Sequence, residues 1–190
     1  MRVIAGSHKG RRLLSPTTND IRPTSGRVKE ALFSILGDRI SGAFMLDLFA
    51  GTGAIGIEAL SRGAAQVMFV ETHPASLKLL KTNLDQCRLI GNNEVYPGES
   101  HTFLEHAART GLTFDIIFAD PPYHDDSAST LLPLLGQNAM ILPHTVVILE
   151  HPTKHQIPPQ VGLLNRVRQY RYGDTSLSLF RLVNEKAFPS

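Results

Sequence analysis

Residues 114 to 126 read FDIIFADPPYHDD. An apolar run stops at Asp120, and Pro121, Pro122 and Tyr123 follow at once. One proline is enough to end a strand, because it cannot donate to the ladder. Two of them behind a carboxylate build something more. Ionised Asp120 only accepts hydrogen bonds, while Pro121 and Pro122 offer carbonyls and no N–H. Proline also fixes its own φ and restricts the residue before it, so the turn is stiff. Tyr123 adds a flat face on which a base can stack. The partner that suits such a turn is a group donating two hydrogen bonds, an exocyclic NH2. Two fixed acceptors would hold that nitrogen with its lone pair aimed at an electrophile. Asp120 would stabilise the positive charge developing on nitrogen, and proton loss follows.

A second constellation lies earlier, in DLFAGTGAIG, which holds Asp47, Gly51, Gly53 and Gly56. The glycine spacing matches a dinucleotide fingerprint, and Glu71 sits twenty residues beyond Gly51. Glycines let the backbone turn sharply and approach a ligand, and an acid at the tip of the next strand can accept ribose hydroxyls. Asp47 changes the reading. A second carboxylate aimed into this site opposes a pyrophosphate and favours a ligand carrying cations. S-adenosylmethionine has an ammonium and a sulfonium and no phosphate. Glu99, after the third strand, is placed to contact the adenine amino group or to be a plain loop acid.

These residues need elements to hold them. MRVIAGSHKGRRLLSP predicts two short strands joined by a turn at Ser7 to Gly10, with Arg11 and Arg12 on the second. A loop rich in turn formers follows, and Thr24 or Ser25 is placed to cap a helix through RVKEALFSIL. Its apolar positions Val28, Ala31, Leu32, Ile35 and Leu36 recur at helical spacing. From residue 43 onward strands and helices alternate. AFMLDLFA, QVMFVE, NEVYPG, FDIIFAD and TVVILEH read as strands. The helices between them are the glycine-opened stretch, PASLKLLKTNLDQC, SHTFLEHAART and a broken helix in STLLPLLGQ. Strands this apolar, in this alternation, predict a parallel sheet covered on both faces. VRQYRYGD and SLSLFRLV read as a further antiparallel edge pair. In such sheets ligands bind beyond the carboxyl ends of the strands. Asp120 and Gly51 are therefore expected to face one crevice.

Composition sets the outer bounds. The chain has 190 residues, 42% hydrophobic and 19% charged, as for one ordinary globular domain. No apolar run approaches the about 18 residues of a membrane span, and the basic N-terminus has no apolar stretch behind it, so no leader is expected. Cys87 is the single cysteine; it cannot pair internally, which fits a reducing cytoplasm. It is read as a quiet helix residue, not a nucleophile. The eight histidines form no recognisable metal set, so no metal is expected. Net charge is +2 but uneven: +5 over residues 1 to 30, −7 over 31 to 150 and +4 over 151 to 190. An acidic middle between basic ends suggests a ligand domain with basic flaps that meet phosphates.

The pairing of DLFAGTG with DPPY resembles the class I S-adenosylmethionine-dependent methyltransferases that modify amino nitrogens. More narrowly, RPTSGRVKEALFSIL, DLFAGTGAIGIEALSRGA, DPPY and YGDTSLSLF resemble the bacterial 16S rRNA guanine-N2 methyltransferases of the RsmD type. The resemblance spans nearly the whole chain. It implies a Rossmann-like α/β fold with a seven-stranded, mostly parallel sheet and a small N-terminal β-hairpin extension. That divides the chain into a basic hairpin and loop, 1–23, and a methyltransferase domain, 24–190. It implies S-adenosyl-L-methionine as cofactor, and as partner the 16S rRNA of an assembled or assembling small ribosomal subunit, met in the cytoplasm by a monomer. Carried over by position, Asp47, Phe49, Gly51 and Gly53 line the cofactor and Glu71 takes the ribose. Asp120, Pro121 and Tyr123 hold the guanine amino group, and Arg22, Thr24 and Arg27 lie near the mouth of the site. One departure stands out: the usual Asp-Ala after the third strand is Glu99-Ser100 here, a charge on a longer arm.

Other readings stay open at this stage. DNA adenine or cytosine methyltransferases share the turn chemistry but usually carry an added recognition region. Release-factor glutamine methyltransferases carry Asn in place of Asp120. A dinucleotide oxidoreductase explains the glycines but not the acceptor-only turn. A non-catalytic RNA-binding protein explains the basic ends but not the acids.

Overall fold

The computed structural model describes residues 1–16, 26–122, 127–137 and 140–183. The chain divides into two compact units, Met1–Phe103 and Leu104–Ser190.

The first unit begins with the hairpin. Arg2 and Arg12 form an isolated antiparallel bridge. Around it Val3 N donates to Arg11 O at 2.9 Å, Gly10 N to Val3 O at 2.9 Å and Leu13 N to Met1 O at 2.9 Å. Two short strands were expected, and one bridge is found. The reason is where the turn amides go. Ser7 N donates to Ser61 O at 2.8 Å, and His8 N to Ser61 Oγ at 2.9 Å, so these donors serve a helix end and not a ladder. Val3 and Leu13 are buried while Arg11 and Arg12 stay exposed.

Helix α1, Gly26–Leu36, buries Val28, Lys29, Leu32, Phe33 and Leu36. Ala31 and Ile35 are only half-buried, so the core-facing stripe is rotated from the expected one and takes in a lysine. Thr24 and Ser25, the expected caps, lie outside the described residues. Next come β1 (Phe44–Leu48), α2 (Ala54–Ser61), β2 (Gln66–Glu71), α3 (Pro74–Cys87) and β3 (Asn93–Pro97). The strands run parallel in the order β3-β2-β1. Registers Leu48↔Val70 and Glu71↔Pro97 bring their carboxyl ends level. Every residue of α2 is buried, Glu58 and Ser61 included.

Helix α4, Ser100–Thr110, leads into the second unit. There β4 (Phe114–Ala119), α5 (Ser127–Gly136), β5 (Ile141–Pro152), β6 (Gln160–Val161), β7 (Leu164–Tyr172) and β8 (Thr175–Leu182) follow. The order is β4-β5-β8-β7-β6, with β4 and β5 parallel and the remaining pairs antiparallel. The expected antiparallel edge pair is β7 with β8. The chain thus forms eight strands among its described residues, not seven, because the two-residue β6 adds a short rung beside the start of β7. Helix α5 runs through Pro133 unbroken.

The interior of the second unit holds a buried imidazole. His151 is 1% exposed. Its Nδ1 lies 3.0 Å from Pro152 O and its Nε2 2.9 Å from Ser178 Oγ. A carbonyl only accepts, so Nδ1 carries a proton. Burial pushes the imidazole below its usual range, and the positive Arg166 adds to this.

Candidate functional site

The glycine turn grows out of β1. Left-handed backbone recurs at every second residue: Phe49 at φ 61°, Gly51 at 56° and Gly53 at 80°. Gly53 caps α2, and Ala50 N donates to Val70 O at 2.9 Å, tying the turn to β2. Phe49 is the exception, since non-glycine residues seldom hold positive φ; the strain costs about 1–3 kcal/mol and concentrates at functional sites. Where a Cβ would stand on Gly51 nothing lies within 4 Å, so the turn is open on that side. Gly56 is the opposite case: a Cβ there would meet the Phe69 ring and Val67 Cγ1, the latter at 2.8 Å. The third glycine of the pattern is thus needed for helix–strand packing.

Three acids surround this turn, each with defined partners. Asp47 is 1% exposed, and its Oδ2 accepts from Gly56 N at 2.9 Å, inside the first turn of α2. A carboxylate there satisfies one of the donors a helix start leaves over and sits at the positive end of the helix dipole. Glu71, at the tip of β2, accepts from Gly51 N at 2.7 Å through Oε2. Its Oε1 accepts from Thr72 N at 2.8 Å and His73 N at 2.7 Å. A carboxylate offers about four acceptor positions, so these three bonds hold it in place with capacity left for a ligand hydroxyl. Glu99 is exposed, and its Oε1 accepts from Thr72 Oγ1 at 3.0 Å. Thr72 therefore couples Glu71 and Glu99 into one acidic rim above the carboxyl ends of β2 and β3. The longer arm of Glu99 reaches Thr72.

In the second unit, Asp120 directly follows β4, whose residues are almost all buried. Asp120 is half-buried, Pro121 buried and Pro122 exposed. Tyr123 lies outside the described residues, as do Arg22 and Thr24. Arg27 is exposed on the first turn of α1.

A buried polar hub that the sequence reading passed over holds the hairpin. Glu58, on α2, is fully buried. Its carboxylate accepts from Ile4 N at 2.7 Å and Ala5 N at 2.9 Å. It pairs with Lys29 Nζ at 2.9 Å and with Arg62 Nε at 2.9 Å. Burial alone would raise its pKa; the Ile4 amide, Lys29 and Arg62 together outweigh that and hold it below the usual glutamate range. Lys29 also donates to Arg2 O at 2.8 Å. Ser61 Oγ donates to Ala5 O at 2.6 Å, and a Cβ on Gly6 would collide with Ser61 O. The signal was present in AIGIEALS, where one charge interrupts an apolar helix; such a charge is buried only when paired.

Asn83, on α3 and fully buried, joins the hairpin exit to the glycine turn. It accepts from Leu14 N at 2.7 Å and donates to Thr52 O at 2.9 Å. Arg11 donates to Gln86 O at 3.1 Å, so of the two hairpin arginines it is already engaged with α3. Cys87 is buried, and burial pushes its thiol up against the pull of Arg11; a thiol so placed is inert. No helix among the described residues is long and apolar enough to cross a membrane.

Residues 1–181 match the family described as Conserved hypothetical protein 95. A relative from Haemophilus influenzae, named Ribosomal RNA small subunit methyltransferase D, is 37% identical over 151 residues, covering 79% of this chain and 78% of its own. Its namesake from Escherichia coli is 35% identical over 158 residues, covering 83% and 78%. A solved structure of a hypothetical protein from Thermus thermophilus superposes with a TM-score of 0.82 at 30% identity, covering 94% of this chain and 98% of the other.

Proposed function

The chain belongs to the Conserved hypothetical protein 95 family, and on that premise we propose that it methylates the N2 amino group of a guanine in 16S rRNA of the small ribosomal subunit, with S-adenosyl-L-methionine as methyl donor. The observation that carries this reading is the acidic rim on the glycine turn, with Glu71 2.7 Å from Gly51 N and linked through Thr72 to Glu99. Carboxylates here suit a cationic, phosphate-free nucleoside, and the open side of Gly51 leaves room for it. Relatives named small subunit methyltransferases support the choice of RNA.

The residues divide the work. Glu71 accepts the ribose hydroxyls, and Glu99 lies along the same rim for the adenine edge. Asp47 holds the start of α2 and places its negative charge beneath the turn, and Phe49 and Gly53 shape the wall. When bound, the cofactor supplies an electrophilic methyl carbon on a sulfonium. Asp120 and the Pro121 carbonyl accept the two N–H bonds of the guanine amino group, and Tyr123 stacks on the base. Held this way, the amino nitrogen would be positioned with its lone pair, otherwise delocalised into the ring, facing the methyl carbon that the cofactor would supply. Asp120 would stabilise the positive charge developing on nitrogen, and the surplus proton would pass to solvent. The basic segment 1–23, with Arg11, Arg12 and Arg22, and with Thr24 and Arg27 beside it, engages the RNA backbone.

The test is labelled methyl transfer to small subunits from a strain lacking this protein, with the product nucleoside identified. N2-methylguanosine in 16S rRNA supports the proposal; label in any other nucleoside, or in protein, overturns it.

A further inference from the structure

Strand β7 carries a pattern that the proposed chemistry does not use. Its nine residues, LNRVRQYRY, include three arginines, two tyrosines and no acid. Pairing fixes which of them share a face. Arg168 lies opposite Leu179, Tyr170 opposite Leu177 and Tyr172 opposite Thr175. Opposed residues in an antiparallel pair point the same way, and successive residues alternate. Arg168, Tyr170 and Tyr172 therefore form one row. Arg168 is exposed, and both tyrosines are half-buried.

This strand is also an open edge. β6 pairs only with Leu164 and Asn165, and Arg166 N donates to Pro159 O at 2.7 Å. Beyond Arg166 no strand among the described residues covers the outer side of β7. An uncovered edge bearing positive charge resists pairing with another chain. The surroundings share the sign: from residue 151 to 183 there are five Lys or Arg and one acid, Asp174.

The strand's position adds a third observation. Across the second unit, Ala119 pairs with Leu149, Leu149 with Ser178, and Ser178 with Gln169. The row that ends β4 just before Asp120 thus reaches β7 beside Tyr170. Three strand spacings separate them, about 14 Å. Tyr170 and Tyr172 stand at the same end of the sheet as the acceptor turn.

We infer that the Arg168–Tyr170–Tyr172 row of β7 is a docking platform for single-stranded RNA flanking the target base. Tyrosine faces stack on bases without regard to sequence, and arginines meet the phosphates. The inference rests on the proposed RNA substrate but is measured without the methyl-transfer reaction. The full chain is titrated with a fluorescent single-stranded RNA oligonucleotide at several salt concentrations, as wild type and as Arg168→Ala, Tyr170→Ala and Tyr170→Phe. Tyr170→Ala is expected to weaken binding about tenfold, and Phe to restore it, because stacking needs the ring and not the hydroxyl. Arg168→Ala, at an exposed position, is expected to reduce the slope of log affinity against log salt by about 0.7. Affinity and slope equal to wild type in both alanine variants overturn the platform, as does a wild type that binds no RNA. If sedimentation shows a dimer that Arg168→Ala dissociates, the edge pairs with a second copy and the inference also falls. Should the variants behave as expected while no small subunit is methylated, the platform stands and the proposed reaction fails.

Discussion

Glu71 Oε2 and Gly51 N are joined by a 2.7 Å hydrogen bond, although twenty residues separate them in the chain. The same carboxylate takes the amides of Thr72 and His73. The tip of β2 is thereby fixed against the turn that follows β1, and the carboxylate is already oriented for the proposed ligand. Glu71→Gln keeps the side chain's size but replaces one acceptor oxygen by a donor. We expect S-adenosylmethionine affinity to fall at least tenfold, or about 1.4 kcal/mol, with the fold retained. Calorimetric titration measures this, and an unchanged Kd removes Glu71 from the site.

Gly56 offers a separate test of the turn's packing. Gly56→Ala drives a methyl group into Phe69 and Val67, both fully buried. Overpacking of this kind costs about 1–3 kcal/mol. The urea midpoint should drop accordingly; an alanine variant as stable as wild type would show that β2 gives way there freely.

Glu58 holds the hairpin through the Ile4 and Ala5 amides, and removing its charge strands Lys29, itself 2% exposed. Breaking a buried pair in this way costs about 3–5 kcal/mol. The pH dependence has a definite sign. Since the native pKa lies below the unfolded one, the stabilisation is complete above the unfolded value of about 4.3. It is lost as pH falls through the lower native value. The gap between wild type and Glu58→Gln should therefore be wide at pH 7 and narrow on strong acidification. Denaturant unfolding at several pH values shows whether it does.

The hairpin's outer arginines are proposed to meet RNA. Arg12 is exposed, while Arg11 shares its guanidinium with Gln86 O. Charge reversal at both should weaken small-subunit binding and flatten its salt dependence, because fewer counterions are released. A slope equal to wild type would take the hairpin out of the interface.

Much of this was legible in the sequence because parallel strands are apolar throughout and punctuated by helices. The glycine turn and the end of β4 before Asp120 were legible because glycine and proline act through their own backbones. What escaped was non-local. Glu58 was recognisable as an odd charge in an apolar helix, but its partners Ile4 and Ala5 lie more than fifty residues away. Lys29 was not among the expected core positions of its helix, because helical periodicity counts only apolar residues, yet it is buried. Asp47 was expected to face the cofactor; its bond to Gly56 N depends on how β1 meets α2. The row on β7 needed the β7–β8 register, with its irregularity between Arg166 and Arg168, before Arg168 and the tyrosines could be placed on one face.

The central claim is that Asp120 accepts the amino group that receives the methyl. Asp120→Ala, purified as the full chain, is compared with wild type for S-adenosylmethionine affinity and for labelled methyl transfer to small subunits. The account predicts a Kd within about twofold of wild type, and transfer reduced at least a hundredfold, in line with the loss of an electrostatic stabiliser. Transfer at the wild-type rate, with N2-methylguanosine still formed, would contradict it.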